Sequence, residues 1–163
     1  LHYHLTKKKK MKSIRTEITI HAPAQIVWNI LMDFENYPAW NPFMQIKGNA
    51  KQGNRLEVTI ALDEHKPQIF KPEILELRPE KSFRWLGHFI IKGLFDGEHL
   101  FNLEVVAENE TRLIHGENFT GMLSGLILKM IEEKSLAGFE KMNAALKQEA
   151  ERQFAIGSKS EAG

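Results

Sequence analysis

Hydrophobic and polar residues alternate from Ser13 to His21, with Ile14, Thr16, Ile18 and Ile20 on one side and Arg15, Glu17 and Thr19 on the other. A period of two predicts a half-buried strand. After Ala22-Pro23 the spacing changes: Ile26, Val27, Ile30 and Leu31 recur at three and four residues, as in a short amphipathic helix. Pro38 biases Tyr37 away from the helical region, and Pro42 interrupts the chain again. Two short helices or turns are expected between the first and second strands.

Strand patterns then dominate. Phe43–Lys47 is followed by Leu56, Val58, Ile60 and Leu62 alternating with polar residues, and Asp63–Pro67 reads as a hairpin loop. Ile69 to Leu77 forms a less regular strand, in which Pro72 signals an edge or a bulge. Phe83 and Trp85, with Phe89 beyond them, share one face of the next strand. His99, Phe101, Leu103 and Val105 share a face of the sixth, and Leu113, His115, Glu117 and Phe119 a face of the seventh. Such spacing predicts a meandering antiparallel sheet.

From Met122 to about Glu151 the period is 3.6. Leu123, Leu126, Ile127, Met130, Ile131, Phe139, Met142 and Leu146 make the expected inward stripe of one long helix. Gly138 lies inside it, where glycine costs about 1 kcal/mol against alanine, so a close approach by sheet or ligand is expected there. The order of elements predicts an α+β fold: a curved seven-stranded antiparallel sheet wrapped around the C-terminal helix. A coiled sheet around a single helix tends to leave space between the two layers.

The chain has 163 residues, enough for one domain. We place that domain at 11–154, with 1–10 an extension preceding a natural start at Met11 and 155–163 a frayed tail. Formal net charge is +1, and without the Lys7–Lys10 run the remaining 18 basic and 21 acidic residues give −3. No cationic field recommends nucleic acid as a partner. The chain has no cysteine, which excludes disulfides and thiolate chemistry and fits a cytoplasmic setting. No apolar run is long enough to span a bilayer. Serines sit in no Gly-x-Ser-x-Gly context, and no phosphate-binding glycine loop occurs.

Several blocks carry a family likeness. Pro23-Ala-Gln-Ile-Val-Trp28, Tyr37-Pro-Ala-Trp-Asn-Pro-Phe43, Phe95-Asp-Gly-Glu-His99 and Thr111–Gly121, in this order of elements, resemble the START-like helix-grip superfamily. The likeness is strongest to its bacterial polyketide cyclase/dehydrase-type branch, the SRPBCC proteins, and runs from about Lys12 to Ala150. It implies a deep hydrophobic cavity between sheet and helix. It does not imply one activity, because the superfamily includes lipid carriers, receptors, cyclases and co-chaperones.

His99, His115 and Glu117 are the candidate chemical groups. Alternation points all three inward on neighbouring strands, and residues two apart on one face lie roughly 6.6 Å apart. A histidine beside a carboxylate can move a proton or orient a carbonyl or hydroxyl; the alternative is that the three are hydrogen-bonded polar residues at a sheet rim. A metal site lacks the supporting spacing, and none is expected. Trp40, Phe43, Val58, Ile60, Trp85, Phe89, Phe101, Leu103 and Phe119 are candidate cavity walls from the sheet side. Leu123, Leu126, Ile127 and Met130 are their counterparts on the helix. The preferred reading is a cofactor-free module, monomeric or weakly dimeric, that binds a small hydrophobic ligand (a lipid, a polyketide-like or an aromatic molecule). Its rivals are a cyclase or dehydratase using His99, His115 or Glu117 in acid–base chemistry, and a co-chaperone-like interaction module.

Overall fold

The structure, a computed structural model, describes residues 11–62, 66–89 and 91–161. The expected extension at 1–10 and residues 63–65 of the Asp63–Pro67 loop lie outside them. The first strand, β1 (Lys12–Ile20), buries Ile14 and Ile20 as its alternation predicts. Helix α1 (Ala24–Met32) follows Pro23 and turns Val27, Ile30 and Leu31 into the core. A 3-10 turn at Phe34–Asn36 leads into α2 (Tyr37–Trp40).

Tyr37 corrects one expectation. It precedes Pro38 yet is helical, with φ −52° and ψ −41°. Its side chain is fully buried and its hydroxyl donates to the Leu31 carbonyl at 2.8 Å, so tertiary anchoring overrides the local bias.

The remaining strands are β2 (Met44–Lys47), β3 (Glu57–Ile60), β4 (Gln68–Phe70), β5 (Glu73–Arg78), β6 (Ser82–His88), β7 (Asp96–Ala107) and β8 (Glu110–Thr120). They form a five-stranded antiparallel sheet in the order β1-β8-β7-β6-β5 and a three-stranded one in the order β2-β3-β4. The expected single sheet of seven strands is thus five plus three. Pro72 is the physical reason. It has no N–H to give to a ladder, so the strand expected over Ile69–Leu77 breaks into β4 and β5, which join different sheets. The Pro72 carbonyl still accepts from Leu56 N–H, and an Arg55–Glu73 bridge ties the sheets together. The class and the grip of sheet on helix are as expected.

Helix α3 runs from Ser124 to Glu161, 38 residues, and contacts β1, β8 and α1. It continues beyond the expected end near Glu151 and to Glu161 within the segment expected to fray. Residues 155–160 are exposed and helical, with the Ser158 hydroxyl donating to the Phe154 carbonyl and the Ser160 hydroxyl to that of Gly157. The face turned to the sheet is Leu128, Ser135, Phe139, Met142, Leu146 and Ala150. The amino-terminal half of the expected stripe is therefore misplaced. Leu126 and Met130 are 63% and 74% exposed, because at 100° per residue they lie nearly opposite Leu128. Leu123 precedes the helix and is also partly exposed.

Candidate functional site

Between the two sheets and α3 lies a cavity. Aromatic and aliphatic side chains make most of its wall: Phe43 just before β2, Val58, Ile60 and Phe70 from the smaller sheet, Trp85 and Phe89 from β6 and its end, and Phe95 and Phe119 around β7 and β8. Helix α3 contributes Ile131, Ser135 and Phe139. The cavity volume is about 70 Å³. That suffices for several waters and is narrow for a ligand.

Of the sequence candidates, Phe43, Val58, Ile60, Trp85, Phe89, His99, Glu117 and Phe119 line this space. Phe101 and Leu103 lie behind it in the packed core, and Ile127 packs against the core's edge. Trp40 stacks edge-on against Tyr37 at 4.9 Å, away from the cavity. Leu123, Leu126 and Met130 lie outside it, on the surface. Sequence reasoning missed Phe70, Phe95, Ser135 and Phe139 as wall residues. Phe95 sits in a loop where periodicity is silent, whereas the helical period places Phe139 on the inward stripe without saying whether it meets core or cavity.

The polar groups come from facing positions on β7 and β8, where His99 pairs with Glu117 and Phe101 with His115. His99 Nε2 reaches diagonally to His115 Nε2 at 2.8 Å, and His115 Nδ1 meets Asn143 Oδ1 on α3 at the same distance. Asn143 Nδ2 donates to Thr16 Oγ1 at 2.8 Å, and Thr16 Oγ1 donates to the His115 carbonyl at 3.0 Å. On the cavity side, His99 Nδ1 stands 3.6 Å from Glu117 Oε2. Rings clamp this row: Trp85 stacks on His99 with centroids 4.7 Å apart, and Phe139 on His115 at 4.2 Å. The sequence pointed to His99, His115 and Glu117 but not to Asn143, since a polar residue on a helix's buried face carries no local signal.

Burial governs the protonation of these groups. It depresses His99 to about 3, with the charge of Arg15 acting in the same direction. It holds His115 well below the ordinary histidine range; His99 adds to this, and the bond to Asn143 opposes it. Glu117 is pushed up to about 8 by desolvation. One fifth of its side-chain surface remains exposed. Its Oε1 lies over Gly97, where a Cβ would stand only 2.3 Å away, so the missing side chain makes room for the carboxyl. A neutral acid and a neutral imidazole side by side can donate one hydrogen bond and accept another. Among the described residues, no group of three or more His, Asp or Glu side chains is arranged to hold a metal.

A cavity gripped between antiparallel sheet and carboxy-terminal helix defines a class of protein, and the sequence places the chain within it. Residues 11–151 match the family described as polyketide cyclase/dehydrase and lipid transport, and the chain belongs to that family. The structure is similar to the ZhuI aromatase/cyclase of Streptomyces sp. R1128, with a TM-score of 0.72 and 16% identity over 88% of this chain and 96% of that one. It is similar to a START superfamily protein of Mycobacterium smegmatis (TM-score 0.66, 18% identity, 86% and 98% covered). It also resembles norcoclaurine synthase of Thalictrum flavum, solved with dopamine and hydroxybenzaldehyde (TM-score 0.66, 13% identity, 86% of each chain). At these identities the likeness establishes the fold. No curated protein matches the chain in sequence. No described helix is long and apolar enough to cross a membrane.

Proposed function

We propose that the protein binds a small hydrophobic ligand in the cavity between sheet and α3, with the ligand's polar end at Glu117 and His99. The observation that carries this reading is an aromatic-walled space with one acid–imidazole pair in its wall. Apolar walls supply affinity through burial, and a few placed polar groups fix orientation. The narrowness of the space favours a flat, slender molecule. The family, which includes lipid transport, and neighbours that handle aromatic compounds agree with such cargo. We place the protein in the cytoplasm as a monomer or weak homodimer, with no nucleic-acid partner and no integral membrane association.

The naphthalene ketone prodan is a suitable probe, being neutral, flat and fluorescent. Saturable binding with blue-shifted emission is the expected result. Emission unchanged from that in water contradicts the reading.

A second reading is favoured by the same acid–imidazole pair: a cyclase or dehydratase acting on an enolisable carbonyl compound. There Glu117 gives a proton to the carbonyl oxygen and His99 accepts one. Glu117→Gln then abolishes turnover without lowering the melting temperature, since the amide has no proton to lose on unfolding. Full turnover in that variant excludes the acid role.

A further inference from the structure

The row from Thr16 to Glu117 has a direction, and the geometry sets it. Thr16 has one hydroxyl hydrogen, which it gives to the His115 carbonyl. Toward Asn143 it can only accept, so the Asn143 amide nitrogen faces Thr16 and its oxygen faces His115. His115 Nδ1 must therefore carry a hydrogen. Among the described residues, the His115 ring nitrogens meet only Asn143 and His99, with no carboxylate beside them, and the ring is fully buried. It is neutral, so its Nε2 is bare. A 2.8 Å contact between two ring nitrogens needs one hydrogen, and His99 Nε2 must supply it. That leaves His99 Nδ1 bare, facing Glu117 Oε2.

We propose that Asn143 and His115 are positioning residues that fix the tautomer of His99, so that Glu117 and His99 hold a single transferable proton at the cavity wall. The pair presents a carboxylic O–H beside an unprotonated imidazole nitrogen. This rests on the ligand-binding reading and sharpens it. The favoured ligand end is a neutral carbonyl oxygen, which accepts from Glu117, rather than an ammonium group. Gly97 keeps room for the acid, and Trp85 and Phe139 keep the rings from rotating.

Among the described residues, few other charges face the pair. Arg15 on β1 acts on His99 from the strand side, and His88, bonded to Asp96 at 2.8 Å, lines the cavity from β6. The wall residues from α3 (Ile131, Ser135, Phe139) and from β3 (Val58, Ile60) are uncharged. The reversed row, with the Asn143 amide turned over, would place a hydrogen on His99 Nδ1 and favour an ionised Glu117. The two arrangements differ at every nitrogen.

Long-range proton–nitrogen correlation spectra of the ligand-free full chain, with labelled histidine rings, distinguish them at neutral pH. The expected result is His115 protonated at Nδ1 only and His99 at Nε2 only. His99 carrying hydrogen on Nδ1, whether as the other tautomer or as imidazolium, overturns the proposal. Thr16→Val removes the hydroxyl that orients Asn143. It is expected to mix the two arrangements and weaken proton affinity at the Glu117 carboxyl several-fold, read from its carbonyl shift against pH. An unchanged titration in a folded Thr16→Val chain also overturns it, and if that variant does not fold the native spectra decide. These spectra need no ligand, so their failure leaves prodan binding untouched, whereas absent prodan binding removes the ligand reading and leaves the tautomers standing.

Discussion

Glu117 and the two buried histidines make opposite contributions to stability as pH changes. Below about pH 6.5 the unfolded histidines bind protons that the folded ones refuse, so stability rises with pH up to that value. Glu117 does the reverse: between about 4.5 and 8 the folded state keeps a proton that the unfolded chain has lost, so stability falls as pH rises. Two rising contributions outweigh one falling one up to 6.5, and only Glu117 acts between 6.5 and 8. Denaturant titrations are expected to show greatest stability near pH 6.5 and a decline toward 8. Glu117→Gln is expected to remove that decline; its persistence would assign it to another group. Tyr37→Phe strips a buried hydroxyl from the Leu31 carbonyl and is expected to cost about 1 kcal/mol in the same experiment. At this scale alternation was informative wherever the ladder is regular, which is why His99, His115 and Glu117 were legible. Asn143 and Gly97 were not, because each is defined by what packs against it from another part of the chain.

Among the elements, α3 and the smaller sheet meet at Gly138. A Cβ there would stand 2.1 Å from the Phe43 ring. The close approach expected from a mid-helix glycine is made by an aromatic side chain that also forms the cavity wall. Gly138→Ala gains about 1 kcal/mol of helix propensity but displaces the ring. The ring lines the cavity, so its displacement is expected to narrow that space and lower prodan affinity at least several-fold while the melting temperature changes little. Equal affinity would show that Phe43 yields in another direction. The elements themselves were legible from period alone, including the change from two to 3.6 near Met122. Two features were not. Pro72 was read as an irregularity within one strand, whereas its missing donor divides two sheets. The helix's apolar residues outnumber its inward positions, so composition could not say that Leu126 and Met130 face outward while Ser135 faces in.

For the whole molecule, packing ends at Phe154 even though α3 continues to Glu161. Removal of 155–163 is expected to change stability by no more than about 0.5 kcal/mol, since it exposes little apolar surface. A larger loss in thermal unfolding would mean that the overhang packs on something. The fold and the presence of a cavity were implied by the order of elements. Its narrow bore was not, because volume depends on how Phe43, Phe70 and Phe89 are turned, which no pattern encodes. The central claim concerns that volume, and Ile60 offers the most direct test of it: the residue lines the cavity without being fully buried, so enlarging it fills space rather than straining the core. Prodan titration of the native chain and of Ile60→Trp, with folding checked by circular dichroism, should give saturable binding in the first and affinity weakened at least about tenfold, or ~1.4 kcal/mol, in the second. Equal binding by both folded chains would place the probe elsewhere and contradict the account.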